Sequence, residues 1–489
     1  MTVVLSYLLL LGAHVLNTLG AGPDQWRNRS IYQVLTDRFA LPSGTIAAGT
    51  ATGTPATSSC DLHSYCGGTW QGITQHLDYI QALGFDALWV SPVVDNWPGG
   101  YHGYWQRRMH SPNGNFGSFS DLLSLSSALH ARGMLLMVDV VANHAYSDGD
   151  VSQNEPFSSA ESYHDCSSCP SGCSVADFTD HAQMEHCRLA GLYDFDNTDL
   201  QGPVATQLIE WARWLVNATG ADGLRVDTVP YVWPPFWKAF EASAGVYAVG
   251  EVDTGDLAFA SPYQGSALSG ILSYPLFFTL RSVFEGRGSM RQLGDAWRAG
   301  LAAWKDVGLL GVFTDNHDNP RFLSGQSDVA LYRGALAYSI LSDGIPIVYY
   351  GSEWAFHGGG DPGCREPFWE GAEYSASAAP LGPFLAALNG YRRQAALWTS
   401  LQIERWQDDS FYCFSKGNST LAAFTNVGAG GPAQSRAVTY LPEAWAPGTV
   451  ACDALNCKNC LTVQDGPVAH VQVDAASGVA LYSLEVAPC

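Results

Sequence analysis

The sequence predicts an α/β fold: a (β/α)8 TIM barrel with an irregular insertion after its third strand and an antiparallel β domain at its C-terminal end. Three observations predict it. Short apolar, β-branched runs alternate with amphipathic helical stretches from residue 31 to about 397; the alternation lapses over 145–203; and beyond about 400 the texture becomes short β-rich segments broken by Gly, Pro and Asn. Eight strand-plus-helix units in series favour a closed barrel over an open doubly wound sheet.

The elements follow in order. IYQVLTDRF (31–39) reads as the first strand. In 73–84, Ile73, Leu77, Ile80 and Leu83 share one helical face that stops at Gly84. DALWVSPV (86–93) is a buried strand, 119–133 is an amphipathic helix capped by Gly133, and LLMVDVVANH (135–144) is a strand apolar on both faces, as a helix-covered sheet requires. After the Ser-, Asp-, His- and Cys-rich insertion come helix 204–218, strand 223–229, helix 235–243 and strand 246–252. Further strands are expected at 270–277, 310–315 and 345–350. The domain reading is a signal peptide at 1–21, a barrel at 22–144 and 204–397, an insertion domain at 145–203, and a C-terminal β-sandwich at 398–489.

Composition narrows the function classes. The chain has 489 residues, 47% of them hydrophobic, and 46 acids oppose 24 bases for a formal charge of -22. That balance excludes nucleic acid and anionic membrane as partners, since both need basic patches. Residues 1–21 carry no charged side chain, hold an apolar run at Val3–Leu11, and end in small residues, the pattern of a secretory signal. An exported chain with 12 Cys is expected to form disulfides. Cys60 and Cys66 are expected to pair; Cys166, Cys169, Cys173 and Cys187 cluster, as do Cys452, Cys457, Cys460 and Cys489, leaving Cys364 and Cys413 over. A zinc site at Cys166 and Cys169 with His164 and His186 is the weaker reading in an oxidising compartment. Asn28, Asn217 and Asn418 open glycosylation sequons.

Three acids carry the chemistry. Asp227 in GLRVDTV, Glu251 in VYAVGEV and Asp318 in GVFTDNHDNPR each stand where an apolar strand gives way to a loop. Catalytic side chains of a parallel barrel emerge at those ends, and converging acids are the equipment for cleaving a glycosidic bond. Arg225, two residues before Asp227, shares its face and is expected to keep it ionised and oriented. The apolar run before Glu251 is expected to form a wall that favours its protonated form. Asp318 is flanked by His317 and Asn319, donors suited to sugar hydroxyls. Sixteen Trp and 22 Tyr supply flat faces for stacking on sugars, although such residues also fill cores.

These residues resemble the secreted fungal-type members of the α-amylase superfamily over nearly the whole chain. YCGGTWQGI (65–73), YHGYW (101–105), VDVVANH (138–144), GLRVDTV, GEV, NHDNPRF (316–322) and DGIPIVYYG (343–351) match in order and spacing. The resemblance implies a retaining endo-hydrolase of α-1,4-glucans such as starch and maltooligosaccharides. Asp227 would be the nucleophile, Glu251 the acid/base and Asp318 the transition-state stabiliser. It implies sugar contacts by His102, Tyr104, Trp105, His144, Arg225, His317, Asp361 and Arg365. It also implies a structural Ca2+ held by Asn143, the carbonyls of Glu185 and Tyr231, and Asp194. The enzyme is expected to be secreted and to act as a monomer.

The chain departs from the pattern after Asp227-Thr228-Val229. The usual Lys-His, which contacts the leaving-side glucose, is replaced by Pro230-Tyr231, and Ser261 stands where a half-cystine is usual. Transfer to a sugar acceptor in place of water is therefore the alternative activity, and a non-catalytic glycan-binding relative is the remoter one. An α-1,6-acting enzyme fits less well, because its insertion motif differs from LYDFD (192–196).

Overall fold

The computed structural model describes residues 21–42, 60–487 and 489, so the segment read as a signal lies outside them except for Ala21. Ala21 is buried, and its carbonyl accepts a hydrogen bond from the Tyr247 N–H. Eight parallel strands form the core: β1 (Ile31–Val34), β2 (Ala87–Val90), β3 (Leu135–Val140), β4 (Gly223–Val226), β5 (Tyr247–Gly250), β6 (Gly270–Ile271), β7 (Gly311–Val312) and β8 (Ile345–Tyr349). Their spatial order is β6-β5-β4-β3-β2-β1-β8-β7. One parallel bridge, Leu272 to Gly311, joins the two ends and closes the ring. At that seam, a Cβ on Gly311 would stand 2.7 Å from Leu272 Cδ2 and 2.9 Å from Ile347 Cδ1, so only glycine fits.

Period-2 alternation divides each strand between the barrel interior and the helix-facing side. Ile31, Trp89, Met137, Tyr247, Val249, Phe313, Ile345 and Ile347 fill the lower interior as one apolar cluster. Above them, nearer the C-terminal strand ends, the buried interior residues are polar: Gln33, Asp139 and Arg225. Asp139 and Arg225 are direct register partners across the β3–β4 pair. The apolar layers thus support a floor of charge, and that floor underlies the site.

Several predicted elements are shorter or differently made. The first strand ends at Val34, and Thr36–Phe39 is a helical turn held by Asp37, whose carboxylate accepts from Cys66 N at 2.8 Å and Gly67 N at 3.1 Å. The helix expected over 73–84 is two pieces, Trp70–Gln75 and Leu77–Ala82, broken at His76 (φ -114°, ψ 18°). The strand expected over 270–277 stops at Ile271, and Tyr274–Leu280 is a helix. Pro275 explains the change: it has no N–H for a ladder, and its fixed φ suits a first helical turn.

The stretch 145–203 is irregular, with short helical turns and a two-stranded pairing of His144–Ala145 with Tyr193–Asp194. Disulfides Cys166–Cys173 and Cys169–Cys187 tie it, which excludes the zinc reading. The C-terminal part is an antiparallel six-stranded sheet plus the pair Gln434–Val438 with Ala469–Val473. Cys452–Cys460 and Cys457–Cys489 staple it; Cys60–Cys66 also pairs, and Cys364 and Cys413 are buried and free.

Candidate active site

A cleft of about 750 Å³ opens at the C-terminal ends of the strands, and Asp227, Glu251 and Asp318 all line it. A smaller cavity of about 400 Å³ lies behind the helix Arg291–Ala303 and is lined by groups such as Leu276, Leu310 and Val312; it has no comparable convergence of acids.

Arg225 organises the floor of the cleft. Its Nη1 donates to Asp227 Oδ1 at 2.7 Å and Asp139 Oδ1 at 3.0 Å, while Nη2 faces Glu251 Oε1 at 3.1 Å. One guanidinium cannot neutralise three carboxylates, so the cluster binds protons more tightly than isolated acids do. Burial, then the charge of Glu251, pushes Asp227 well above the ordinary carboxylate range; burial pushes Asp139 up to about 6. Arg225 holds Asp227 in place and favours its charge, as expected, while burial and the neighbouring acids act against that charge.

The environment of Glu251 also differs from the apolar wall expected. Its Oε2 accepts from the Thr228 N–H at 3.0 Å, and its Oε1 accepts from the Tyr274 hydroxyl at 3.4 Å as well as facing Arg225. The apolar residues Tyr247 and Val249 lie deeper, inside the barrel. Thr228 reaches Glu251 from a left-handed backbone (φ 51°, ψ 42°), an uncommon state for a β-branched residue and one that costs on the order of 1–3 kcal/mol.

The imidazoles are neutral. Burial lowers His102 to about 3, His144 to about 4, and His317 well below its usual value. Gln33 Nε2 stands 2.9 Å from His317 Nδ1; an amide nitrogen only donates, so His317 carries its proton on Nε2. That proton points to the Tyr104 hydroxyl at 2.5 Å, which in turn donates to Asp139 Oδ2 at 2.8 Å. Tyr104 stacks on His317 at 5.5 Å between centroids, and Trp105 stacks on Tyr146 at 4.5 Å. His102 Nδ1 accepts from the Tyr104 N–H at 3.0 Å.

Asp318 is the most open of the three acids, with 32% of its side chain exposed. Arg365 Nη2 stands 3.4 Å from Asp318 Oδ1, while its Nη1 pairs with Asp361 at 2.9 Å and its Nε donates to the His317 carbonyl at 2.8 Å. Asn319 does not face the cleft as a donor, because its amide donates to Asn316 Oδ1 at 3.1 Å.

The residues predicted to hold a cation come together beside the cleft. His144 Nε2 faces the Tyr104 carbonyl at 3.3 Å, so it carries the proton of this neutral imidazole. Nδ1 is then an acceptor, and the Asn143 amide nitrogen must face it, at 3.1 Å. This turns Asn143 Oδ1 toward Tyr231 O and Asp194 Oδ1, each 3.0 Å away; with the other imidazole tautomer the amide turns over and its nitrogen donates to both. Three oxygens with no proton between them fit a hard cation with oxygen ligands. The Glu185 carbonyl accepts no backbone hydrogen bond among the described residues, and its helical turn His181–Met184 packs against the turn Val229–Tyr231. The donor set therefore fits Ca2+.

A sequence profile of the α-amylase catalytic domain matches residues 33–402. The chain belongs to the α-amylase family. It is 41% identical over 401 residues to "Alpha-amylase 1" of Lipomyces kononenkoae, covering 78% of this chain and 61% of that protein. It is 36% identical to "Alpha-amylase 2" of Schwanniomyces occidentalis, with coverage of 88% and 86%. The solved α-amylase of Malbranchea cinnamomea superposes with a TM-score of 0.86 at 37% identity, covering 95% of this chain and 97% of that one.

The α-amylase scaffold here also uses residues that the motifs did not single out. Asp139 sits inside an apolar strand, and its inward register with Arg225 was the available signal. Gln33, Tyr146, Asp253 and Phe178 reach the site from four different loops or strand ends. No local pattern marks them.

Proposed function

We propose that the chain is an endo-acting α-amylase that hydrolyses α-1,4-glucosidic bonds of starch-type glucans with retention of anomeric configuration. The observation that carries this is the single Arg225 guanidinium holding Asp227 on one nitrogen and Glu251 on the next. Carboxyl groups on adjacent nitrogens of one guanidinium fit the close spacing of retaining enzymes, about 5–5.5 Å, better than the about 6.5–9.5 Å of inverting ones.

Asp227 Oδ attacks the anomeric carbon as the bond to the leaving oxygen breaks, and Glu251 gives that oxygen its proton. A glycosyl ester on Asp227 results. Glu251, now a carboxylate, takes a proton from water, whose oxygen attacks the same carbon and frees Asp227. The pair needs one proton at the outset, carried by Glu251. Asp318 faces the positive charge that develops on the sugar ring. His102, Tyr104, Trp105 and His144 line the ring's pocket, His317 is buried behind Tyr104, and Asp361 with Arg365, which also line the cleft, would bind toward the non-reducing side.

Asn143 Oδ1, Asp194 Oδ1 and the carbonyls of Tyr231 and Glu185 would hold Ca2+. The ion would supply charge that fastens the insertion to the strand ends. Secretion is supported by five disulfides, and no helix among the described residues is long and apolar enough to cross a membrane. Asn217 and Asn418 are exposed and open to glycosylation, whereas Asn28 is half-buried.

The test is product analysis on soluble starch. Release of α-configured maltooligosaccharides by wild type, with none from Asp227→Asn, is expected; equal and negligible release from both would overturn the assignment. A second reading, transfer to sugar acceptors, is favoured by Pro230-Tyr231 alone. It predicts products longer than the donor.

A further inference from the structure

The chain that leaves β8 brings Asp361 to the cleft on a stretch poorly suited to holding it there. That stretch reads HGGGDPG (357–363), with four glycines in seven residues, so its backbone has many conformations to lose. Among the described residues, its backbone is gripped from outside at two places: at Gly358, and at Pro362 O, which accepts from the Arg365 N–H at 3.0 Å. Asp361 is itself 49% exposed and pairs with Arg365 Nη1 at 2.9 Å.

Both contacts at Gly358 come from the two members of one ion pair. The Gly358 N–H donates to Glu366 Oε1 at 2.7 Å, and the Gly358 carbonyl accepts from the Arg321 N–H at 3.0 Å. Glu366 Oε2 in turn accepts from Arg321 Nε at 2.7 Å. A Cβ on Gly358 would collide with the Gly363 carbonyl, so the loop folds back on itself this closely only with glycine there.

Arg321 is a fixed post for this contact. It is fully buried, its Nη1 donates to Tyr350 O at 2.9 Å, and its guanidinium lies 4.4, 5.2 and 5.2 Å from the rings of Tyr349, Tyr350 and Phe356. Glu366 is its one ion-pair partner among the described residues, and the Tyr350 hydroxyl fixes the Glu366 carbonyl at 2.7 Å. Arg321 stands three residues after Asp318, so the pair spans the loops that leave β7 and β8. Neither residue lines the cleft.

We propose that Arg321 and Glu366 are positioning residues: their ion pair latches the loop 357–363 and so sets Asp361 where it meets the glucan. The inference rests on the hydrolase assignment and deepens it. The reacting pair, Asp227 and Glu251, is held from the barrel floor by Arg225 and makes no contact with the latch. A broken latch therefore weakens the hold on the glucan and spares the chemical step, which separates KM from kcat.

The experiment is steady-state kinetics of the full-length, calcium-loaded enzyme on maltoheptaose, with Tm measured alongside. Glu366→Gln keeps the side-chain volume and removes the charge that faces Arg321. It is expected to raise KM about 10-fold, the worth of one charged contact, with kcat within about 2-fold of wild type. In an Asp361→Ala background the same substitution should change KM by less than about 2-fold, because the residue it places is gone. Arg321→Lys keeps a charge beside Glu366 but loses the planar fork; it should raise KM about 3-fold, and it serves if Glu366→Gln does not fold. A lower Tm with KM unchanged in every folded variant would mean a merely structural pair, and an equal rise in KM with and without Asp361 would mean that the pair acts elsewhere. Either result overturns the proposal and leaves the hydrolase assignment standing. A wild type that does not turn over maltoheptaose would overturn that assignment and this inference with it.

Discussion

Asp139 faces Arg225 across the β3–β4 ladder, and its two carboxylate oxygens lie 3.0 and 3.2 Å from Nη1 of that arginine. The same nitrogen donates to Asp227. Asp139 also accepts from the Tyr104 hydroxyl and from Trp89 Nε1, so it fixes both the guanidinium and the aromatic beside it without lining the cleft itself.

Asp139 is a positioning residue, and Asp139→Asn should lower kcat while leaving KM near its wild-type value. A hydrogen bond to a charged partner is worth about 1.5–3 kcal/mol, which corresponds to roughly 10- to 100-fold in rate. Removing one acid from the cluster should also shift the pH profile of kcat/KM toward lower pH, because Asp227 then holds its proton less tightly. Steady-state kinetics across pH checks both. A rise in KM with kcat and the pH profile unchanged would contradict the role.

Glu251→Gln keeps the shape of the side chain and cannot exchange a proton. Turnover of soluble starch should fall about 10²- to 10⁴-fold. α-Maltosyl fluoride needs no proton on departure, so with it the first step should survive and the ester on Asp227 should accumulate. Intact-mass spectrometry after mixing would detect that adduct. Its absence, with fluoride still released in many turnovers, would move the acid/base role to another residue.

Removal of Ca2+ should destabilise the protein by an amount set by mass action, about 2.7 kcal/mol for an ion present at 100 times its Kd. For a chain of this size, whose unfolding entropy is about 1 kcal/mol/K, that is roughly 3 °C in Tm. Calorimetry with EDTA, then with added Ca2+, measures it. Asn143→Leu should remove most of the difference between the two conditions. An unchanged Tm in wild type after EDTA would exclude the ion.

His102 gives a pH dependence with a defined sign. Its folded value, lowered by burial to about 3, lies below the value near 6.5 that it takes when unfolded. Its contribution is fully present above pH 6.5 and is lost as the pH falls toward 3, because the unfolded chain takes up the proton first. In His102→Asn, the amide oxygen can still accept from the Tyr104 N–H. The Tm of this variant should fall less steeply than that of wild type between pH 6.5 and 4, and parallel curves would refute the linkage.

Much of this was legible in the sequence, for reasons that differ by residue. Asp227, Glu251 and Asp318 sit at abrupt changes from apolar strand to polar loop, and that contrast is local. Asp139 hides inside the apolar run LLMVDVV, where only strand register shows that it faces inward. The environment of Glu251 was misread because its partners, Arg225, Thr228 and Tyr274, come from other segments. The extent of β6 was overestimated because apolar residues continue past Ile271, and Pro275 turns the same run into helix. His76 breaks a helix whose periodicity runs on undisturbed.

The bridge between Leu272 and Gly311 has a kinetic meaning. Every other pair of neighbouring strands in the ring shares at least two ladder positions, whereas these two ends meet at one. The ring is therefore easiest to part there, with β6, which pairs with the strand that delivers Glu251, on one lip and the strand leading to Asp318 on the other. A brief opening of that gap on warming would draw the stabilising acid away from the acid/base before the remaining strands let go. Activity should fade at temperatures where the bulk of the barrel is still folded.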